Sequence, residues 1–207
     1  MDVIPHCFFI NLDSRKDRRD QVESELKKVP LKSIERFPAI RRKRGYIGCS
    51  MSHVECMKLA IERDEAMVLI CEDDLCFKDA EVLNSSLKTF LESETPWDVI
   101  FICGNVLRPV EPHSDVALRV RNCQTTSGYL VANHYYKTLL NNFETALKAL
   151  LLRPHRRGFR IDMFWKRLQK KDKWFALQPF NAYQRASYSD IERRRTSFKD
   201  VFLKVGQ

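Results

Sequence analysis

Residues Ala66–Leu75 read AMVLICEDDL, and the reading of this stretch decides the fold. Met67 to Cys71 is an unbroken apolar run that ends in three consecutive carboxylates, Glu72, Asp73 and Asp74. A run of this length fits a strand buried on both faces, in a parallel sheet with helices on either side. Such a strand holds charge only where it leaves the core, because an unpaired buried carboxylate is too costly. Ligands of open α/β sheets sit at the carboxyl ends of the strands. If the strand geometry carries on through the carboxylates, Glu72 and Asp74 point to one side and Asp73 to the other. Two carboxylates converging on one point make a hard-oxygen site for Mn²⁺ or Mg²⁺, and an ion held there would grip a nucleotide diphosphate. The competing reading is a strand end followed by an acidic turn that caps the next helix.

Working outward, His6–Leu12 (HCFFINL) predicts a first buried strand, with Ser14 as the cap of a helix carrying Val22, Leu26 and Val29 on its apolar face. The intervening turn, Asn11 to Arg19, sets several arginines near a helix start, which on its own reads first as a solvated basic helix face and second as an anion pocket. Phe37–Ile40 predicts a short strand. Gly45 and Gly48 mark a tight turn or a close backbone approach, and Ser52-His53-Val54-Glu55 matches a helix capping box. Taken alone, His53 reads as a hydrogen-bonded structural histidine.

Downstream, Asp79–Glu94 is helical, with Val82, Leu83, Leu87, Phe90 and Leu91 toward the core. Trp97–Cys103 is another buried strand, Val106–Asp115 a surface loop, and Val116–Val120 a half-exposed strand. Thr125–Ala132 is a strand in which Gly128 suggests a bulge or a close ligand approach. An amphipathic helix over Tyr135–Leu152, a basic loop Arg153–Gly158, a helix starting at Arg160 and a short strand Trp174–Gln178 follow. The remainder is polar and basic, with one amphipathic turn at Val201, Phe202 and Val205. Alternating strands and helices predict one α/β domain with a mostly parallel central sheet flanked by helices.

The chain has 207 residues, enough for about one domain with a sizeable core. No apolar run approaches the roughly 20 residues that span a membrane, and the first residues lack signal-peptide character. The seven cysteines show no zinc-site spacing and read as reduced, mostly buried thiols. Together these features predict a cytoplasmic protein. The net charge of +9 is clustered at Arg41–Arg44, Arg153–Arg160, Lys166–Lys173 and Arg193–Arg195. Nucleic acid, an anionic membrane surface and a phosphorylated sugar donor would all be attracted to such patches.

Several stretches, in order, resemble glycosyltransferase family 25, the lipooligosaccharide and collagen galactosyltransferase type. They are Ile10-Asn11-Leu12 followed by Arg15, Arg18 and Arg19; Gly45-x-Ile-Gly-Cys-x-x-Ser52-His53; Leu69 to Asp74; Trp97-Asp98; Gly128-Tyr129; Ile161-Asp162; and Gln178-Pro179 through Ser189-Asp190-Ile191. The resemblance implies a GT-A-like fold, a UDP-sugar donor (commonly UDP-galactose), Mn²⁺ or Mg²⁺, and inversion at the anomeric carbon. It implies that Asn11, Leu12, Arg15 and Arg18 lie at the nucleotide and that Ser52, His53, Asp73, Gly128 and Tyr129 serve the donor pocket. Glu72 and Asp74 would be the metal motif, and Asp162 the acceptor-side base. Residues 1–105 would then form the nucleotide-sugar half, and 106–207 the acceptor half with a basic tail.

Two departures stand out. Tyr46 replaces the usual acidic residue after Gly45, and no histidine follows His155 to complete a metal shell, a place that Gln184, Asp190 or water could take. The expected partners are a UDP-sugar and a glycan or glycoprotein acceptor, without nucleic acid, and the basic patches are candidates for peripheral contact with an anionic membrane. The rival readings are a metal-dependent nuclease or phosphohydrolase, which usually needs a larger acidic cluster for two metals, and a non-catalytic polyanion-binding domain. Lipopolysaccharide biosynthesis is the process the resemblance implies.

Overall fold

A computed structural model describes residues 4–189 and 194–196, with side chains over 4–186. The elements in order are β1 (His6–Asn11), α1 (Lys16–Leu26), β2 (Ile34–Pro38), α2 (Gly45–Arg63), β3 (Met67–Glu72), β4 (Leu75–Phe77), α3 (Ala80–Glu92) and β5 (Val99–Val106). Then come β6 (Val110–Ser114), β7 (Ala117–Val120), β8 (Cys123–Ala132), α4 (Tyr136–Leu152), α5 (Ile161–Phe164), α6 (Lys166–Gln169), β9 (Trp174–Leu177), β10 (Ala182–Gln184), β11 (Ser187–Ser189) and β12 (Arg194–Thr196).

An eight-stranded sheet runs in the order β2-β1-β3-β8-β5-β9-β7-β6. Strands β2, β1, β3, β5, β9 and β6 point one way and only β8 and β7 the other, so strand direction is mostly parallel, as expected. Both faces are covered. Phe8, Ile10, Val68 and Ile70 pack under α2 and α4 on one side, and Cys7, Phe9, Leu69 and Cys71 under α1 and α3 on the other. That two-sided burial is why Met67–Cys71 carries no polar residue.

Four local readings change. Ser52 does not cap α2, which starts about two turns earlier, at Gly45. Ser52 sits inside it, donating to the Gly48 carbonyl at 2.9 Å and accepting from the Ile40 amide at 2.9 Å. Arg15, not Ser14, caps α1. The expected loop over Val106–Asp115 instead contributes β6, hairpinned to β7, because Pro112 sits on an exposed edge strand where its missing N–H is tolerated. Val82 is exposed rather than core, while Leu83, Leu87 and Phe90 are buried as predicted. All seven cysteines are free, and all but Cys49 are buried. No described helix is long and apolar enough to cross a membrane. The amphipathic turn at Val201–Val205 lies outside the described residues.

Gly48 is where α2 meets the chain entering it. A Cβ there would lie 2.1 Å from the Ile40 carbonyl oxygen, a backbone atom that cannot swing aside. Gly48→Ala is therefore expected to destabilise the protein by about 1–3 kcal/mol, the usual range for overpacking, read as a Tm drop of several degrees. An unchanged Tm would mean that the loop at Ile40 yields freely.

Candidate active site

The site forms where β1 and β3 end side by side, with Ile10 paired to Glu72. β3 stops at Glu72, and Asp73-Asp74 make a tight turn into β4. The extended geometry therefore does not carry on, and each carboxylate finds its own partners. Asn11 donates from Nδ2 to Asp73 Oδ2 at 2.8 Å and to the Arg15 carbonyl at 3.0 Å. Arg18, on the first turns of α1, pairs with Asp73 Oδ1 at 2.6 Å and reaches Asp74 Oδ2 at 3.5 Å. Gln184, brought in by the pairing of β10 with β4, donates to Asp74 Oδ1 at 3.3 Å. Asp190, the other stand-in ligand considered, lies outside the described residues.

Glu72 turns toward β8 and α2. Thr126 Oγ1 donates to its Oε1 at 2.5 Å, and His53 Nε2 and Cys49 Sγ stand 3.6 and 3.9 Å from the same oxygen. His53 is fully buried, with Nδ1 bonded to the Tyr129 hydroxyl at 2.7 Å. The mid-helix placement of His53 follows from the early start of α2, which aims positions 49 and 53, one turn apart, at the same carboxylate.

These carboxylates do not ionise alike. Burial pushes Asp74 up to about 7, and the charge of Glu72 adds to the rise while Arg18 opposes it. Burial also pushes Glu72 up, but the neighbouring His53, the hydrogen bond from Thr126 and the charge of Arg18 outweigh it and hold it below its ordinary value. Asp73 is raised by burial against the pull of Arg18 and Asn11.

Asp162 comes from the other half of the chain. It lies in the first turn of α5, whose cap is Arg160, so it does not cap its own helix. Its Oδ2 accepts instead from the backbone N–H of Thr125 at 3.3 Å. Thr125 sits at φ 72°, a left-handed conformation that strains a β-branched residue by about 1–3 kcal/mol. α5 is anchored by Trp165, which is fully buried, donates to the Cys123 carbonyl at 3.0 Å and packs edge-on to Phe101, Tyr129 and Trp174. Burial raises Asp162, and the charge of Glu72 raises it further, against the Thr125 bond. Burial pushes the Cys49 thiol far up, followed by the negative charges of Glu72, Asp162 and Asp74. β8 links the two halves directly, because Thr126 donates to Glu72 and the backbone N–H of its neighbour Thr125 donates to Asp162.

The remaining predicted residues act at a distance from this centre. Arg15 folds back on Asp17 through a bidentate pair at 3.0 and 2.9 Å, which holds Asp17 down at about 2. The Leu12 carbonyl accepts from the Arg15 amide, closing the turn. At Gly128 a Cβ would meet Ile102 Cγ1 at 3.0 Å, so β5 packs closely there, and the register of β5 against β8 shifts at its partner Cys103, as a bulge would. Ser52 and Tyr129 are fully buried supports of α2 and His53.

The glycosyltransferase family 25 model, described as an LPS biosynthesis protein family, matches residues 43–151. This chain belongs to glycosyltransferase family 25. The matched span takes in His53, the three strand-end carboxylates and Gly128-Tyr129, whereas Asn11, Arg18 and Asp162 lie outside it and are argued from geometry. Human procollagen galactosyltransferase 2 is 28% identical over 188 residues, covering 76% of this chain but 29% of its own length. A mouse relative named inactive glycosyltransferase 25 family member 3 is 30% identical over 125 residues, 58% of this chain and 20% of its own. The family 25 chain described here thus spans less than a third of these relatives. Among solved structures, A197 from STIV aligns with a TM-score of 0.51 at 13% identity over 93% of both chains, a likeness of fold.

Residues the sequence reading missed in this family 25 site are Arg36, Thr126 and Cys49. Arg36 donates to Asn11 Oδ1 and to the Asn11 carbonyl, both at 3.1 Å, and so orients the Asn11 amide toward Asp73. Its place beside Asn11 follows from the pairing of β1 with β2, which no local motif announces.

Proposed function

We propose that this family 25 domain is a metal-dependent inverting transferase that moves a hexose, galactose first among candidates, from a UDP-sugar to a hydroxyl of a glycan or glycoprotein acceptor. What supports the reading above all is that neighbouring residues of β8 hold the two acids: Thr126 donates to Glu72 at the end of β3, and the backbone N–H of Thr125 donates to Asp162, a half-buried carboxylate of α5.

The donor set fits a divalent cation. Cys49, His53 and Glu72 present ligand atoms within 4.8 Å of one another, and His53 Nε2, buried there, has no hydrogen-bond partner among the described residues. Hard carboxylate oxygens suit Mn²⁺ or Mg²⁺. Glu72 and Asp74 would hold the ion, whose contribution is to neutralise the diphosphate that leaves with UDP. The protein's own residues do the rest. Arg36 and Asn11 fix the orientation of Asp73, and Arg18 holds Asp73 and Asp74 against mutual repulsion. Asp162, half-buried and raised, accepts the proton of the acceptor hydroxyl as it attacks the anomeric carbon opposite the leaving group.

The test is a thermal-shift panel of nucleoside diphosphates with and without Mn²⁺. UDP with Mn²⁺ is expected to raise Tm by roughly 5–10 °C at a hundredfold excess over Kd, and Glu72→Gln to remove the Mn²⁺-dependent part. Cleavage of DNA or RNA, with no shift from any nucleoside diphosphate, would favour the nuclease reading instead.

A further inference from the structure

Two cationic segments more than a hundred residues apart meet at one end of the molecule. Arg41-Arg42-Lys43-Arg44 leads into α2, and Arg153, Arg156 and Arg157 follow α4; all are exposed. The segments are fastened together. Tyr46 donates its hydroxyl to the Pro154 carbonyl at 2.8 Å, Arg44 lies 3.4 Å from His155 Nε2, and the Arg160 guanidinium stacks 4.4 Å over the Tyr46 ring. No aspartate or glutamate occurs from Arg36 to Val54 or from Thr145 to Ile161, so neither segment offsets its own charge. The last two residues of α4 add a different chemistry: Leu152 is 83% and Leu151 55% exposed, the most exposed large apolar side chains among the described residues.

We propose that this end of the molecule docks on the surface of an anionic lipid bilayer, with Leu151 and Leu152 entering the interface and the flanking arginines engaging the lipid phosphates. Leucines left this exposed add little to folding, since burial on the protein is what normally stabilises them. Followed directly by Arg153, Arg156 and Arg157 and joined through Pro154 and His155 to the Arg41–Arg44 segment, they match a surface that inserts apolar side chains between headgroups while its cations stay at phosphate depth. A single-stranded nucleic acid would use the cations but calls for aromatic stacking platforms, and the large apolar side chains exposed here are the aliphatic Leu151 and Leu152. The inference stands apart from the proposed transferase activity. It has one geometric consequence for it: α5, which carries Asp162, begins at Arg160 beside this surface, so the acceptor side would lie close to the bilayer.

The experiment is co-sedimentation of the full chain with vesicles of phosphatidylglycerol and phosphatidylcholine in equal parts, against phosphatidylcholine alone, at low and high salt. Binding is expected only with phosphatidylglycerol and is expected to weaken in high salt. Leu152→Asp is expected to lower partitioning about tenfold or more, and Arg156→Glu/Arg157→Glu by about tenfold or more. The matched control, Lys170→Glu/Lys171→Glu, changes net charge equally on exposed residues that precede β9, and is expected to keep most of the binding. All of these positions are exposed, so an unchanged Tm confirms that each variant folds. Absence of sedimentation at low salt would overturn the proposal, and so would equal loss in the lysine control. Tight binding of poly(U) RNA together with indifference to Leu152→Asp would show a general polyanion surface and overturn it as well.

Discussion

Asp162→Asn is expected to lower hexose transfer by about 10²–10⁴-fold, the usual loss when a general base is removed, while UDP with Mn²⁺ still raises Tm as it does in the wild type. The asparagine keeps an oxygen to accept the Thr125 N–H at its present distance of 3.3 Å, so α5 and the strained Thr125 turn stay in place. What it loses is the capacity to take a proton. Because burial raises the Asp162 carboxyl, the group becomes an active base only as pH climbs through that elevated value. Wild-type transfer should therefore rise with pH along this limb, and the residual rate of the variant should not. Donor binding and turnover falling together would show that Asp162 serves the fold or the donor instead. The measurement also separates this domain from relatives such as the mouse family member named inactive, since similarity at that level does not distinguish an active site from a silent one.

How far the site could be read from the sequence follows from the range of the interactions. Met67–Cys71 announced a strand buried on both faces, and the carboxylates after it marked its exit, because burial and charge are local demands on residue type. The direction of those carboxylates was not legible. The tight turn at Asp73-Asp74 depends on β4 pairing with β10 more than a hundred residues later, and that pairing sends Glu72 toward Thr126 and His53 while Asp73 turns to Asn11. The capping box at Ser52 misled for a related reason. Its pattern is correct for a helix start, but the close approach of Gly48 to Ile40 lets α2 begin earlier. Ser52 then bonds to a preceding carbonyl and to the Ile40 amide, both reachable only in the folded chain. Arg36 and Thr126 gave no local signal, since each acts on a residue of a neighbouring strand.

Arg18→Ala carries the largest expected effect on stability. Arg18 and Asp73 are a nearly buried pair at 2.6 Å, with side chains 12% and 9% exposed. Removing one member of such a pair leaves an uncompensated charge and typically costs about 3–5 kcal/mol. Here the cost depends on pH, and its sign follows from Asp74. That carboxyl, near 7 in the folded protein, titrates far above its unfolded value of about 3.9. Its protonated form contributes stability that is complete below the unfolded value and is lost as pH rises through about 7. Arg18 moderates that loss by favouring the ionised form, so its removal matters least at pH 5, where Asp74 is protonated, and most above pH 8. Denaturant midpoints across that range should show the gap between wild type and variant widening with pH. Mn²⁺ should recover part of the deficit at the alkaline end, since it would supply positive charge where Arg18 no longer does. A gap that is constant in pH and indifferent to Mn²⁺ would mean that Arg18 contributes packing alone, and that the charge at the end of β3 is already balanced without a metal.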